Sequence, residues 1–161
     1  MKPELLDVLL PIALDEAEIL NRINYLTEKY GTLPSDFVSF ASRFSFHDSF
    51  NHLQFGNSSE EILNTLFGLA SSATIPKGFE EYNDFLEEEE LLPDGCLAIA
   101  SYDNFYVYFL RLSDGAVLGA YYQELEYGDK FGNAKRLSAF VKSHSAFIDC
   151  LSWKSPLDHE E

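Results

Sequence analysis

The sequence predicts an α+β protein, because its apolar residues follow a helical rhythm in the first half of the chain and a strand rhythm in the second. Helical spacing then returns near the C-terminus. We therefore expect N-terminal helices, a central and mainly antiparallel sheet with a hairpin meander, and a closing C-terminal helix. The 161 residues suit a single domain over 1–161, with its core at about 15–152 and a short polar tail at 154–161.

Two helices are predicted in the first 45 residues. Four apolar side chains over residues 15–30 share one helical face, and Gly31 follows as a stop signal: Ile19, Ile23, Leu26 and Tyr30. The segment Leu33-Pro34-Ser35-Asp36 begins a second helix, where a first-turn proline is tolerated because its missing N–H would lack a helical partner. Three phenylalanines keep the rhythm of this helix: Phe37, Phe40 and Phe44.

The stretch from Ser45 to Ala73 is ambiguous. Ser58-Ser59-Glu60-Glu61 is suited to cap a short helix, whereas Asn64 to Leu69 fits a strand equally well. Ser71 to Gly78 is typical of a loop. After it, apolar spacing predicts another helix that ends in four glutamates, with these residues in its apolar positions: Phe79, Tyr82, Phe85 and Leu86.

The second half of the chain predicts a meander of antiparallel strands. Pro93-Asp94-Gly95 is a strong turn signal before the apolar strand Cys96 to Ala100. Tyr106 to Leu112, the turn Ser113-Asp114-Gly115 and Val117 to Tyr122 then form a hairpin. From Asn133 the helical rhythm returns, with these residues able to cover one sheet face: Leu137, Phe140, Val141, Phe147, Ile148 and Leu151.

The charge balance restricts the classes of partner. With 27 acidic against 11 basic residues and a formal charge of -16, the chain repels phosphate backbones, so we expect no direct nucleic-acid binding. A basic protein partner is favoured, with solubility alone as the alternative explanation. Cys96 and Cys150 are expected to be free thiols, as in a reducing cytoplasm. Because we find neither a signal peptide nor a membrane span, we predict a cytoplasmic protein.

Catalytic signatures are absent from the sequence. It contains no GxGxxG after a strand, no GxxxxGK[ST], no GxSxG and no HExxH, so we expect no enzymatic activity and no cofactor. His47 and His52 lie five residues apart with Asp48 between them, which is a poor spacing for zinc ligands on one helix face. We therefore expect no metal site and interpret these residues as a surface loop.

Two clusters are candidates for partner binding. The first is acidic, and it is either a solvated face or a docking surface for a basic protein: Glu80, Glu81, Asp84, Glu87, Glu88, Glu89, Glu90 and Asp94. Aromatic residues between these acids would be either anchors or core. The second cluster is rich in tyrosine, and Tyr102, Asp103 and Tyr106 are its candidate contacts. Its tyrosines face either a partner or the margin of the core: Tyr102, Tyr106, Tyr108, Tyr121, Tyr122 and Tyr127.

The order of these features resembles the SUKH superfamily, which includes the yeast cell-wall-assembly regulator and many bacterial immunity proteins. Four stretches between residues 15 and 152 carry the resemblance: Tyr30-Gly31 with Leu33 to Phe40, Leu66-Phe67-Gly68-Leu69, Leu92 to Ala100 with the following hairpin, and Leu137 to Leu151. The chain departs from the family at Ser45-Phe46, where Asn-Gly is common. It departs again at Asp103-Asn104-Phe105, where a glycine-asparagine pair is common.

The resemblance implies that the protein binds a cognate toxin, often a nuclease, and blocks it. The acidic composition and the lack of a catalytic signature agree with this role. Two alternatives stay open, a regulatory adaptor without a toxin partner and a small-ligand binder or enzyme that uses a pocket beside the tyrosine-rich sheet. Exposed tyrosines permit a homodimer without requiring one.

Overall fold

The structure, a computed structural model, describes residues 1–55, 62–70, 78–103, 105–127 and 139–153 and confirms the α+β class. The described helices are α1 (Pro3–Leu6), α2 (Glu16–Tyr30), α3 (Ser35–Ala41), α4 (Phe79–Glu88), α5 (Tyr122–Tyr127) and α6 (His144–Asp149). The described strands are β1 (Leu10–Pro11), β2 (Phe44–His47), β3 (Leu53–Phe55), β4 (Ile62–Leu63), β5 (Thr65–Leu66), β6 (Cys96–Tyr102), β7 (Tyr106–Arg111), β8 (Val117–Tyr121), β9 (Ala139–Val141) and β10 (Leu151–Trp153).

A seven-stranded sheet in the order β1-β2-β5-β6-β7-β8-β9 organises the protein, and each neighbouring pair is antiparallel. A smaller sheet has the order β10-β3-β4. Helix α6 covers the meander where Phe147 packs on Tyr108, with ring centroids 5.3 Å apart. The core also includes Leu5 and Leu9, which precede residues 15–152. In the described ranges no helix has both the length and the apolarity needed to cross a bilayer.

The predicted meander is confirmed as β6, β7 and β8. Gly95, in the turn before β6, and Gly115, in the turn between β7 and β8, have φ angles of +72° and +78°. Glycine adopts this conformation without steric cost. The Arg111 guanidinium donates to both carboxylate oxygens of Asp114 at 2.9 and 2.6 Å. Asp114 also accepts from the N–H of Ala116 at 3.1 Å, which closes the second hairpin. Local turn chemistry therefore sets the register of this part of the sheet.

The first two predicted helices are present, although the second ends early. Asp15 and Glu18 form a capping box in which each side chain accepts from the other's backbone N–H, and this cap begins α2 at Glu16. Helix α3 begins at Ser35 but stops at Ala41, and Phe44 lies in β2 rather than continuing the helix. The helical rhythm was misleading there because β2 pairs with β1 and β5.

The described part of the ambiguous stretch from Ser45 to Ala73 contains short strands and no helix. Within Asn64–Leu69 only Thr65–Leu66 is a strand, and the predicted cap at 58–61 and most of the predicted loop, 71–77, lie outside the described residues. Gly68 allows the close approach of two segments. A Cβ there would lie 2.7 Å from Ile12 Cδ1 and 3.0 Å from the Phe44 carbonyl oxygen.

The closing helix is present but spans only six residues. Residues 133–138 of the predicted helical stretch lie outside the described residues. The prediction of helix is wrong at Ala139–Val141, which form β9 and pair with the outer edge of β8. The Ser143 hydroxyl then caps α6 by accepting from the N–H of Ala146 at 3.2 Å. Leu151 lies in β10. Strand pairing at an available sheet edge outweighs the local helical pattern.

Helix α4 is attached to the central strand by Asn83, whose exposed fraction is 1%. Its Nδ2 donates to the carbonyl oxygens of Phe79 and Ala98 at 2.9 and 3.0 Å, and its Oδ1 accepts from the Ala98 N–H at 2.7 Å. The register of β6 against β7 shifts between Ala98 and Ala100, and β5 pairs with β6 only at Ala100 and Ser101. The carboxamide of Asn83 therefore takes the place of a neighbouring strand at Ala98.

Replacement of Asn83 by alanine should lower the free energy of unfolding by about 3 kcal/mol, because two buried backbone groups of Ala98 lose their partner. Urea denaturation followed by circular dichroism measures the change. Asn24→Ala on the exposed face of α2 is the matched control, since it makes the same helix substitution and should change stability by less than about 0.5 kcal/mol. Equal effects of both variants would contradict this role of Asn83.

His144 is buried among aromatic rings with 2% of its surface exposed. Its ring centroid lies 5.1 Å from that of Phe37 and 5.4 Å from that of Phe40. Among the described residues its Nδ1 has no hydrogen-bond partner. Burial lowers the pKa of His144 to about 4, and the carboxylate of Asp36 only partly opposes this effect. The contact between α3 and α6 therefore contains a neutral histidine at neutral pH.

His144 should make the protein less stable as the pH falls. The unfolded chain takes up the proton near pH 6.5, whereas the folded protein resists it until about pH 4, so stability is lost on descending through that window. Between pH 7 and pH 5 the wild type should lose about 2 kcal/mol more than His144→Leu, measured by urea denaturation at each pH. Parallel pH profiles of the two proteins would show that folding does not lower the pKa of this histidine.

Candidate functional site

The predicted acidic residues divide into two groups, and the first group is paired within the molecule. Glu80 accepts from Lys29 Nζ and from the Tyr25 hydroxyl, both at 2.7 Å, and lies 3.4 Å from the Arg22 guanidinium. Lys29 also donates to Asp84 at 2.8 Å. We call these residues, Arg22, Tyr25, Lys29, Glu80 and Asp84, the α2–α4 clamp.

The clamp keeps its central carboxylate ionised. Burial alone would raise the pKa of Glu80, but the hydrogen bonds from Lys29 and Tyr25 outweigh it and lower that pKa. The same bond to Glu80 raises the pKa of Tyr25. The side chain of Glu80 is only 16% exposed. Glu80 and Asp84 therefore hold two helices together and add little free negative charge to the surface.

The second group is exposed at the end of α4. It comprises five carboxylates that we call the acidic face: Glu87, Glu88, Glu89, Glu90 and Asp94. In the part of the chain that the structure describes, no lysine or arginine lies within 4.0 Å of these carboxylates. Glu81 is also exposed, one turn or more nearer the start of α4. The acidic face is therefore available to cations from a partner.

The position of the acidic face is unfavourable for the isolated protein. A helix C-terminus carries a partial negative charge, so glutamates there are repelled by the helix as well as by one another. Glu90 has a φ angle of +59°, in the left-handed region that non-glycine residues seldom adopt. Burial raises the pKa of Tyr122, and the carboxylates of Glu126 and Glu89 raise it further, so the negative region extends to α5.

The aromatic residues interleaved with the acids belong mainly to the core. Phe79 is 1% exposed and its ring packs 5.4 Å from that of Phe37. Tyr82 is 6% exposed and stacks on Phe67 at 5.0 Å. Phe79 and Tyr82 are therefore core residues rather than anchors for a partner. Phe85 is half-buried.

The tyrosine-rich cluster forms a separate surface at one end of the meander. Strand register places Tyr102 opposite Tyr106 and Tyr106 opposite Tyr121, so the three side chains form a row on one sheet face. Phe105, 58% exposed, extends the row, and its ring lies 5.4 Å from that of Tyr121, which is 40% exposed. We call Tyr102, Phe105, Tyr106 and Tyr121 the aromatic edge.

The remaining predicted tyrosines do not belong to this surface. Tyr108 is fully buried beneath α6, Tyr122 is half-buried beside the acidic face, and the side chain of Tyr127 lies outside the described residues. Asp94 lies two residues before β6 and Tyr102 ends it, so the length of the strand, about 20 Å, separates Asp94 from Tyr102 of the aromatic edge. The two predicted clusters are therefore two surfaces.

Asp103 anchors the turn that presents the aromatic edge. Its φ angle is +45°, and its carboxylate accepts from Nδ2 of the buried Asn64 at 2.8 Å. The Asp103 N–H donates back to Asn64 Oδ1 at 3.2 Å. Backbone hydrogen bonds also fix this turn. The Phe105 N–H donates to the Tyr102 carbonyl oxygen, and the Phe105 carbonyl oxygen accepts from the Tyr122 N–H.

The other predicted chemistry has a structural explanation. Burial raises the pKa of the Cys96 thiol to about 11 despite the nearby Arg111, so this cysteine is a protonated core residue rather than a nucleophile. His47 Nδ1 lies 3.0 Å from the Thr65 hydroxyl, and Asp48 accepts from the N–H groups of Phe50 and Asn51. Among the described residues no three histidines, cysteines or acids are grouped as metal ligands. Both cysteines are free.

Several site residues were missed by the sequence analysis. Arg22 and Lys29 recur at a spacing of seven on α2, which would place two cations on one helix face, but nothing local identifies Glu80 as their partner. Phe105 follows a turn and has no periodic context. Asn64 was considered only as part of a strand, and its contact with Asp103 spans 39 residues of sequence.

The two groups of acids should respond oppositely to neutralisation. Glu80→Gln should lower the free energy of unfolding at pH 7 by about 1 kcal/mol, because charge-assisted hydrogen bonds in the clamp are weakened. Glu88→Gln should leave it unchanged or raise it by a few tenths, because repulsion at the helix end is relieved. Urea denaturation of both variants measures the difference. A greater loss for Glu88→Gln would show that the clamp is not the stabilising group.

Comparisons with known proteins were made at three levels: family models, curated proteins and solved structures. No family model matches the chain, and neither the curated proteins nor the solved structures contain a match. The two candidate surfaces are thus the acidic face at the end of α4 and the aromatic edge on the meander.

Proposed function

We propose that this protein is an immunity protein of the SUKH type, which binds a basic cognate toxin and neutralises it by occlusion. The observation that carries the proposal is the acidic face, whose five exposed carboxylates have no lysine or arginine partner among the described residues. The sequence resemblance supplies the class of partner. The net charge of -16 supplies a field that attracts basic proteins over a distance.

Three cations of the chain are paired with acids outside the acidic face, which supports this proposal. Arg22 and Lys29 are bound to Glu80 and Asp84, and Arg111 is bound to Asp114. These cations therefore screen other acids and leave the acidic face to act on a partner. Because the face adjoins a helix C-terminus, the helix dipole adds to its negative potential. Lysines and arginines from a toxin would relieve repulsion that the free protein retains.

Occlusion accounts for neutralisation without any catalytic group. A toxin that acts on nucleic acid needs a basic groove that binds phosphates. A cluster of carboxylates can form ion pairs with the same lysines and arginines and so block the groove. Electrostatic steering raises the association rate, while short-range contacts determine how long the complex lasts. The clamp would keep α4 fixed on the fold during binding, so the carboxylates need little ordering when the partner arrives.

The first test measures capture of the protein encoded immediately upstream, using stopped-flow association at low and high salt. A variant with four glutamines on the acidic face should associate at least about 10-fold more slowly at low salt, and high salt should reduce the difference. Its substitutions are Glu87→Gln, Glu88→Gln, Glu89→Gln and Glu90→Gln.

A matched control neutralises four exposed acids elsewhere and has the same net charge: Glu4→Gln, Asp7→Asn, Glu16→Gln and Glu28→Gln. This control should slow association by less than about 3-fold, since steering depends on where the charge lies. Equal slowing by the two variants would show that net charge alone attracts the toxin and would reject the acidic face as the docking surface. Failure to capture the upstream protein at either salt would reject the immunity role and favour a regulatory adaptor.

A further inference from the structure

We propose that the aromatic edge, together with Asp103, is a second binding surface that takes arginine side chains presented by a basic protein. The inference deepens the proposed function, on which its biological partner rests, but its chemistry is testable without a toxin. Phe105 and Tyr121 are 58% and 40% exposed and their ring centroids lie 5.4 Å apart, so they form a contiguous exposed aromatic patch, a feature typical of interaction surfaces.

The aromatic edge is rigidly presented. Its three tyrosines are cross-strand neighbours. The ring of Phe105 meets those of Tyr102 and Tyr121 edge to face, and Tyr106 meets Tyr121 in the same way, with centroids 4.9 Å apart. Asn64, 3% exposed, fixes Asp103 through two hydrogen bonds. The backbone of Phe105 is bonded on both sides of the turn. A partner would therefore find these rings already in position, which reduces the entropy lost on binding.

The chemistry of this surface favours arginine. Ring faces of phenylalanine and tyrosine carry negative potential, and an edge-to-face arrangement orients neighbouring rings in different directions. The exposed carboxylate of Asp103 lies two residues from Phe105 in the turn. A guanidinium can stack on a ring and donate to a carboxylate at the same time, whereas an ammonium is a more strongly hydrated point charge. The negative charge of the whole chain supports a cationic occupant.

This surface is distinct from the acidic face. Strand β6, about 20 Å long, separates Asp94 of the acidic face from Tyr102 of the aromatic edge. The acidic face would attract any cation over a distance, because its carboxylates are numerous and exposed. The aromatic edge instead discriminates between cations at contact. A basic protein that reaches both surfaces would be steered by one and retained by the other.

The test uses two blocked five-residue peptides, one with two arginines spaced by glycine and one with two lysines. Each is titrated into the full chain at about 0.15 M salt, and two-dimensional NMR follows the ring protons of Phe105 and Tyr121. The arginine peptide should shift both rings and bind at least about 3-fold more tightly than the lysine peptide.

Three variants separate the contributions. Asp103→Asn keeps the left-handed conformation, which asparagine tolerates, and should weaken arginine binding by about 3-fold or more. Phe105→Ala should remove the preference for arginine over lysine. Phe50→Ala is the matched control, because Phe50 is 95% exposed and lies outside the aromatic edge, and it should change nothing.

Three outcomes would overturn the proposal: equal binding of both peptides, shifts confined to residues outside the aromatic edge, or an unchanged preference in Phe105→Ala. Concentration-dependent broadening of the same rings without peptide, abolished by Phe105→Ala, would assign the surface to a second copy of this chain instead. The variant with four glutamines on the acidic face should keep the preference for arginine. The peptide titration therefore tests the aromatic edge independently of toxin capture. Either proposal can be rejected while the other holds.

Discussion

The hydrogen bonding of Asn83 to Ala98 is the constraint on which the arrangement of α4 depends. Strand β6 lies at the centre of the main sheet, yet β5 reaches only its last residues. At Ala98 both backbone polar groups would be buried without a partner, at a cost of about 1–3 kcal/mol each. The carboxamide of Asn83 supplies a donor and an acceptor in the geometry of a strand. It therefore fixes one point of α4 against the sheet.

Once Asn83 fixes that point, the clamp sets the second contact of α4. Glu80 and Asp84 face Lys29 on α2, while Phe79 and Tyr82 enter the core. Among the described residues, the glutamates at the end of the helix, Glu87 to Glu90, form no ion pair with a lysine or arginine. Helix α4 thus contacts the sheet, α2 and the core, and its end still exposes carboxylates to solvent. Fold and candidate site thus use different residues of the same short element.

Elements that depend on residues close in sequence were predicted correctly, and elements that depend on distant residues were not. Helix α2 and the meander were predictable because the apolar spacing of the helix, its stop at Gly31 and the turns at Gly95 and Gly115 depend on residues close in sequence. Strand β9 was missed because its pairing with β8 depends on an edge that exists only in the folded sheet. The sequence showed that residues 80–94 are acidic, but it did not show that Glu80 and Asp84 are paired while Glu87 to Glu90 are exposed. Lys29 and Glu80 are 51 residues apart, so nothing local separates Glu80 from Glu88.

Glu90 shows what this surface requires of the backbone. A left-handed residue after a helix is most often glycine, since a side chain there costs about 1 kcal/mol. A glutamate at this position adds a strained conformation to electrostatic repulsion. Local preference and surface charge are therefore in conflict at this residue, which is energetic frustration in the sense used for folding landscapes. The end of α4 is accordingly a place where the folded chain stores free energy that an interaction with cations can release.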